Sequence, residues 1–308
     1  MKLIFVLFLS LTLSVTLQAN SSETYSSIVS EIQKKVQCYD ATVGVAVIIN
    51  GKDTITVNND IRYPMMSVFK FHQALAVCDY LQKNHISCDS VIHVSKYELK
   101  QNTYSPLRDE NPEGNIDIAL SKLLSYTLVF SDNNACDILF DRILNVKNTD
   151  SYIRSLGIND FAIEMTEDDM HINLDNCYKN WSTPLSAAVL LEKFITGYTI
   201  TGEYRSIIEN TMMECSTGRS RLLKPLENKN LRIGHKTGTG DKNRKGEFIG
   251  INDIGFVYLP DGGRYVISVF VKDSSESYDT TENIIAEISS IVYNSIIKYN
   301  KINIHTVY

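Results

Sequence analysis

Ser67 and Lys70, in Ser67-Val68-Phe69-Lys70, lie one helical turn apart. They follow Pro64 and open the apolar stretch from Phe71 to Leu81, so the spacing predicts Ser67 at a helix N-terminus with Lys70 on the same face. A serine hydroxyl is a weak nucleophile until a base takes its proton, and a desolvated or cation-crowded lysine can be that base. Ser131-Asp132-Asn133 adds a second hydroxyl able to pass a proton to a leaving nitrogen, and an amide able to hold both a lysine and a carbonyl. Lys236-Thr237-Gly238 supplies a cation and a hydroxyl for an anionic group, beside a residue small enough to let substrate approach a strand. Each motif alone has an ordinary reading. Ser295-Ile296-Ile297-Lys298 repeats the first spacing by chance, Ser-Asp is a common helix cap, and Lys-Thr-Gly can end any polar strand.

The elements that must carry these residues are legible from periodicity. Ile28, Val29, Ile32 and Val36 recur at helical spacing over Ser26 to Val36. Thr42 to Asn50 and Thr54 to Val57 read as a hairpin around Gly51-Lys52-Asp53, and Asp253 to Leu259 and Tyr265 to Val271 as another around Pro260-Asp261-Gly262-Gly263. Thr281 to Tyr299 closes the chain as a helix, and Leu231 to Thr239 is extended. Between Pro64 and Cys215 the pattern is helix and long loop. Strands from both ends around a helical middle imply an α/β (α+β) fold: an antiparallel sheet from N- and C-terminal strands flanked by helices, plus an inserted all-helical lobe. The expected boundaries are about 20–63 and 216–308 for the sheet lobe and 64–215 for the helical lobe, with the ligand cleft between them.

Composition narrows the class. With 308 residues, 44% hydrophobic, the chain can bury a sizeable core, and a net charge of -6 is the wrong sign for binding nucleic-acid phosphate. Residues 1–19 place Lys2 before an apolar run from Leu3 to Leu17 and end at Gln18-Ala19, the pattern of a secretory signal peptide; the run is short for a membrane anchor. Its removal takes one positive charge and leaves -7. The six cysteines, Cys38, Cys78, Cys88, Cys136, Cys177 and Cys215, form no C-x-x-C pair, and the histidines form no H-x-H or H-E-x-x-H cluster, so no metal and no cofactor is expected. Buried thiols or one or two bridges are the expected states.

Order and spacing give the three motifs joint meaning. With first positions 64 and 105 residues apart, they resemble the active-site set of class A serine β-lactamases and penicillin-binding proteins. The resemblance spans essentially the chain after the signal. Glu167, in Thr166-Glu167-Asp168-Asp169-Met170-His171, falls 36 residues after Ser131, where class A enzymes place their Ω-loop glutamate. The E-P-x-L-N form is absent. This variant, with Tyr178-Lys179-Asn180-Trp181 and Tyr63-Pro64-Met65-Met66, is similar to the cephalosporinase-like, extended-spectrum branch.

The resemblance implies roles by position. Ser67, Lys70, Ser131 and Glu167 would be catalytic; Asn133, Lys236, Thr237, Thr239, Arg221 and Tyr104 would bind substrate; the backbone N–H groups of Ser67 and Thr239 would form the oxyanion hole. Arg219 competes with Arg221, and both Lys70 and Glu167 stand open as the acylation base. Met66 and Gly240 occupy the places where carbapenemase-type relatives carry a disulfide, so that bridge is absent. His171 and His235 read as structural hydrogen-bonding groups, and the acidic run around Glu167 has a bland alternative as a solvated loop. The implied activity is β-lactam hydrolysis through a Ser67 acyl-enzyme, with cephalosporin preference, by a periplasmic monomer that binds no nucleic acid and no membrane after signal cleavage. A D-Ala-D-Ala peptidase or a non-hydrolytic β-lactam sensor is the alternative, and Glu167 speaks against it by offering a base for deacylation.

Overall fold

The computed structural model describes residues 25–305, with side chains described through residue 299; the signal read at residues 1–19 lies outside the described residues. Helix α1 spans residues 25–36. Strands β1 (Thr42–Ile49), β2 (Asp53–Val57) and β3 (Tyr63–Pro64) lead to α2 (Phe69–Lys83). The middle of the chain runs β4 (Val91–Val94), α3 (Pro106–Glu110), β5 (Ile116–Ala119), α4 (Leu120–Val129), α5 (Asn133–Arg142) and α6 (Val146–Ser155). It continues through β6 (Phe161–Ala162), α7 (Glu167–Ile172), β7 (Trp181–Ser182), α8 (Pro184–Ile195) and α9 (Gly202–Met213). Strands β8 (Arg232–Thr239), β9 (Phe248–Tyr258) and β10 (Arg264–Ser274), then α10 (Tyr278–His305), complete it.

Two short polar turns explain the hairpins. Asn50 and Gly51 both take positive φ (53° and 67°) between β1 and β2, and Gly262 (84°) does so between β9 and β10, the left-handed conformation that asparagine and glycine tolerate best. The main sheet runs β2-β1-β10-β9-β8, with every neighbouring pair antiparallel. Alternation assigns its two faces. Val43, Val45, Val47 and Ile49 of β1 join Ile267, Val269 and Val271 of β10 under α1 and α10, whose Ile28, Ile32, Ile284, Ile285 and Ile288 close that layer. Ala46, Ile48, Val266 and Phe270 point the other way, into the core shared with the helical lobe.

Helix α2 is the axis of that lobe. It buries residues on every side, from Phe69 and Phe71 to Cys78 and Leu81, and α4, α6 and α9 pack around it. Helix α8, read with the helical middle in the sequence, packs on the inner sheet face against β1, β9 and β10. All six cysteines are free thiols, five of them buried.

The lobes are joined where the chemistry sits. Asn252 of β9, fully buried, donates from Nδ2 to the carbonyls of Pro64 (2.8 Å) and Met65 (3.1 Å), and its Oδ1 accepts from Val271 N (3.2 Å). One amide thus fixes the turn before α2 to the sheet. Asn252→Ala should leave these groups unpaired and lower stability by about 2–3 kcal/mol, measured by denaturant unfolding at constant m-value.

Candidate active site

Ser67 lies in a single 3-10 turn, Met66–Val68, that runs directly into α2. Met66, just before it, has φ 47°, a left-handed conformation costly for a side chain of that size and held here by packing on both sides. Lys70 follows in the first turn of α2 and is fully buried. Its ammonium donates to Ser131 O (2.6 Å), Asn133 Oδ1 (2.6 Å) and Ser67 Oγ (3.1 Å), and lies 2.9 Å from Glu167 Oε1. Ser67 Oγ in turn donates to Glu167 Oε1 at 3.1 Å. The hydroxyl therefore sits between a carboxylate that can take its proton and a lysine that can do so only as the neutral amine.

Asp132 is the N-cap of α5, accepting from Ala135 N at 2.8 Å, and its carboxylate also takes Leu107 N (2.6 Å) and Ser105 Oγ (3.0 Å). The bland reading of Ser-Asp-Asn as a cap thus holds for its middle residue. The cap aims its neighbours: Ser131, at φ 61°, and Asn133 face Lys70. Asn133 is held by its Nδ2 on Thr103 Oγ1 (2.9 Å) and its N–H on Tyr104 O (3.1 Å). Tyr104 itself stands at the rim with its ring exposed.

Glu167 opens α7, where Thr166 and Asp169 form a capping box. The acidic run divides here: Glu164 is exposed, Asp168 and Asp169 half-buried, and Glu167 is buried against the lysine. Asp137 of α5 holds the segment, accepting Glu167 N (2.9 Å) and Asp168 N (3.0 Å) on its two oxygens. Burial, then the charge of Glu167, push the Asp137 carboxyl up to about 7. Asn180 clamps the other side, accepting from Glu164 N (2.8 Å) and Met165 N (2.9 Å) and donating to Met165 O (2.9 Å). His171 is exposed on α7.

Strand β8 closes the opposite wall. Lys236 Nζ donates to Ser131 Oγ (2.9 Å) and Thr237 O (2.8 Å), so Ser131 is touched by both lysines. Burial lowers Lys236 to about 8 and Lys70 pushes the same way, against the anions of Cys215, Glu167 and Asp253. The side chain of Thr237 pairs with Thr217 Oγ1 at 2.5 Å. Gly238 serves a different contact from the one its motif suggests: a Cβ there would meet Met65 O at 2.4 Å, so the glycine admits the Ser67 turn rather than substrate. Met66 lies against Gly240, whose Cβ would fall 3.0 Å from its Cε, so the two positions face each other with no sulfur bridge.

The two arginines separate cleanly. Arg219 is exposed, 3.7 Å from Glu227. Arg221 is buried, and all five of its N–H groups are engaged: Nε with Glu282 (2.9 Å), Nη1 with Gly238 O (3.0 Å) and Asn252 O (2.9 Å), Nη2 with Thr239 Oγ1 (2.7 Å) and Tyr278 OH (3.1 Å). Its reach toward the cleft runs through the exposed Thr239. His235 is a buried structural group, as expected, with Nδ1 3.0 Å from Asp253 Oδ1. Asp137, Thr217 and Asn252 were invisible in the sequence because each is a single residue brought in from a distant element. Asn180 carried a signal only through its run with Trp181.

A serine held between a buried ammonium and a buried carboxylate, at the seam of an antiparallel sheet and an inserted helical lobe, has the arrangement that serine acyl-transfer chemistry requires. The chain belongs to the β-lactamase enzyme family, whose model matches residues 27–296. A β-lactamase of Bacteroides uniformis is 38% identical over 296 residues, covering 96% of this chain and 99% of its own. Beta-lactamase VEB-1 of Pseudomonas aeruginosa is 34% identical, covering 94% and 96%. Among solved structures, the TLA-3 extended-spectrum β-lactamase superposes with a TM-score of 0.86 at 40% identity, over 88% of this chain and 99% of that one. A class A enzyme from Bacteroides cellulosilyticus gives 0.85 at 42%, over 89% and 98%. The protein is a class A serine β-lactamase that hydrolyses the β-lactam amide bond.

Gly238→Ala should force β8 away from the Ser67 turn. A loss of about 1–3 kcal/mol in stability, with kcat/KM down at least tenfold by steady-state assay, is the expected outcome.

Proposed function

We propose that Ser67 is the nucleophile, and that the observation carrying this is its hydroxyl lying 3.1 Å from both Lys70 Nζ and Glu167 Oε1. Glu167 is within hydrogen-bond reach to accept the proton as Ser67 attacks the lactam carbonyl, and Lys70 can take that role only in its neutral form. The backbone N–H groups of Ser67 and Thr239 receive the oxyanion, favoured by the approach of β8 to the turn through Gly238. Ser131, hydrogen-bonded to Lys236 and with its carbonyl on Lys70, passes a proton to the lactam nitrogen. Glu167 then activates the water that releases Ser67.

Substrate is held by groups around this centre. Lys236 and Thr237 engage its carboxylate, with Thr239 added under the control of Arg221; Asn133 takes an amide group, and Tyr104 packs at the rim. A cavity of about 290 Å³ lies between the segment Ile172–Tyr178 and the β8–β9 connection at Lys242, Asn243 and Arg244. Cephalosporin preference is supported by the likeness to the extended-spectrum TLA-3 enzyme. The reaction uses no cofactor or metal in this reading. The enzyme acts as a periplasmic monomer, exported by the signal at residues 1–19; among the described residues no helix is long and apolar enough to cross a membrane.

Purified protein mixed with a chromogenic cephalosporin should turn over steadily, with only a transient adduct by intact mass. A stoichiometric burst and a long-lived adduct would favour the sensor reading instead. Glu167→Ala should convert turnover into accumulated acyl-enzyme, with kcat reduced at least a hundredfold. Because Lys236 is lowered to about 8, its charge is present below that pH and lost above it. KM for a carboxylate-bearing substrate should accordingly rise as pH climbs through about 8, followed by initial rates from pH 7 to 9.

A further inference from the structure

Behind β8 lies a buried cluster the mechanism above does not use. Asp253 of β9 accepts from His235 Nδ1 through both oxygens, at 3.0 and 3.1 Å. The other ring nitrogen, Nε2, has no hydrogen-bond partner, and the Cys215 thiol lies near enough for its charge to act on the ring. All three residues are buried. The Cys215 sulfur lies 3.4 Å from Thr217 Oγ1, which lies 2.5 Å from Thr237 Oγ1. A chain of hydrogen-bonding atoms thus runs from the thiol, through one threonine, to the hydroxyl assigned to the substrate carboxylate, with the His235–Asp253 pair beside the thiol.

The hydroxyl inventory constrains this chain. A threonine hydroxyl has one hydrogen to give and two lone pairs. If Cys215 is a thiol, it can donate to Thr217, Thr217 to Thr237, and Thr237 to the cleft. If Cys215 is a thiolate, it takes the Thr217 hydrogen, so Thr237 must donate inward to Thr217 and presents only lone pairs to the cleft. An anion is attracted by the first arrangement and repelled by the second. We propose that Cys215, hydrogen-bonded to Thr217 and lying beside the His235–Asp253 pair, is a positioning residue that sets the direction of the Thr217–Thr237 hydroxyl pair, and that carboxylate recognition requires Cys215 to carry its proton.

The surroundings place this change within a measurable pH range. Burial opposes ionisation of Cys215, but the charged His235 beside it, and then Lys236, outweigh burial and pull the thiol down to about 6. Burial also opposes a charged His235, yet Asp253 and Cys215 outweigh it and raise the imidazole well above its ordinary value. The charged groups facing the thiol are therefore His235 and Lys236 from β8, and Asp253 from β9 faces His235. Lys70 from α2 and Glu167 from α7 face Lys236 in turn. The thiol is protonated below about 6 and ionised above, so carboxylate affinity falls with rising pH across that range.

This inference rests on the assignment of Thr237 to the substrate carboxylate, so the experiment tests both. KM for an anionic cephalosporin and for its neutral methyl ester is measured from pH 5 to 7, at least one pH unit below Lys236, with the ester reporting any change that comes from Asp137 rather than from carboxylate binding. In the wild type the anion's KM should rise about tenfold, the scale of one hydrogen bond to a charged group, while the ester's stays level. Cys215→Ser, which keeps a donor that does not ionise there, should hold KM flat at its low-pH value. Calorimetry of a carboxylate-bearing boronic acid near pH 7, in buffers of different ionisation enthalpy, should show uptake of about one proton by the wild type and none by Cys215→Ser. The wild-type measurement needs no variant to fold. Equal proton uptake by the two proteins, or a wild-type KM that ignores pH in this range, overturns the relay. Thr237→Val with unchanged KM for the anion would instead overturn the carboxylate assignment beneath it.

Discussion

The site depends on one buried charge. Lys70 has no access to solvent, and an ammonium removed from water is tolerated only when its hydrogens are matched by acceptors. Besides the Ser67 hydroxyl, those acceptors come from three places: the Ser131 carbonyl between α4 and α5, the Asn133 amide at the start of α5, and the Glu167 carboxylate at the start of α7. The demand of the charge and the assembly of the site are thus the same requirement. The left-handed backbone at Ser131 is part of that arrangement, since its carbonyl is among the closest contacts of the ammonium.

A second layer holds the acceptors themselves. Asp132 spends its carboxylate on the α3–α5 junction and so fixes both flanking residues, while Asp137 grips the start of α7 by two backbone N–H groups. Asn180 and Asn252 do the same for the segment before Glu167 and the turn before Ser67. Each is a buried side chain that satisfies backbone groups unable to enter a helix or sheet ladder. The loops carrying the chemistry are consequently as well fixed as the elements between them.

Much of this was legible in the sequence, and the division has a physical basis. Both hairpins, the first and last helices, and the strand carrying Lys236 follow from local periodicity and turn residues, and the structure extends β9, β10 and α10 by a few residues at their ends. Ser67, Lys70, Ser131 and Lys236 were legible as motifs, and Glu167 by its distance from Ser131. Gly238 was legible as necessary but for another contact, because only the fold reveals that β8 passes over Met65. Asp137, Thr217 and the Cys215–His235–Asp253 cluster carried no local signal of their relation, since each partner comes from a separate element. Arg221 was preferred to Arg219 on the resemblance alone, and its burial and five engaged N–H groups could not be read from two arginines flanking a serine.

The pairing of β1 with β10 has a kinetic meaning. Thr42 lies opposite Lys272, so the centre of the sheet joins segments separated by most of the chain, with the whole helical lobe closed as a loop between them. The neighbours of β1 are β2, a short local hairpin partner, and β10, which exists only once synthesis has passed residue 274. Closing so long a loop before its contacts repay the lost chain entropy makes such topologies slow to fold. Until its last strand is available, the chain can form a hairpin and helices but not the seam at which Asn252 meets the Ser67 turn. The surroundings of Ser67 therefore cannot be completed before the last strands of the sheet are in place.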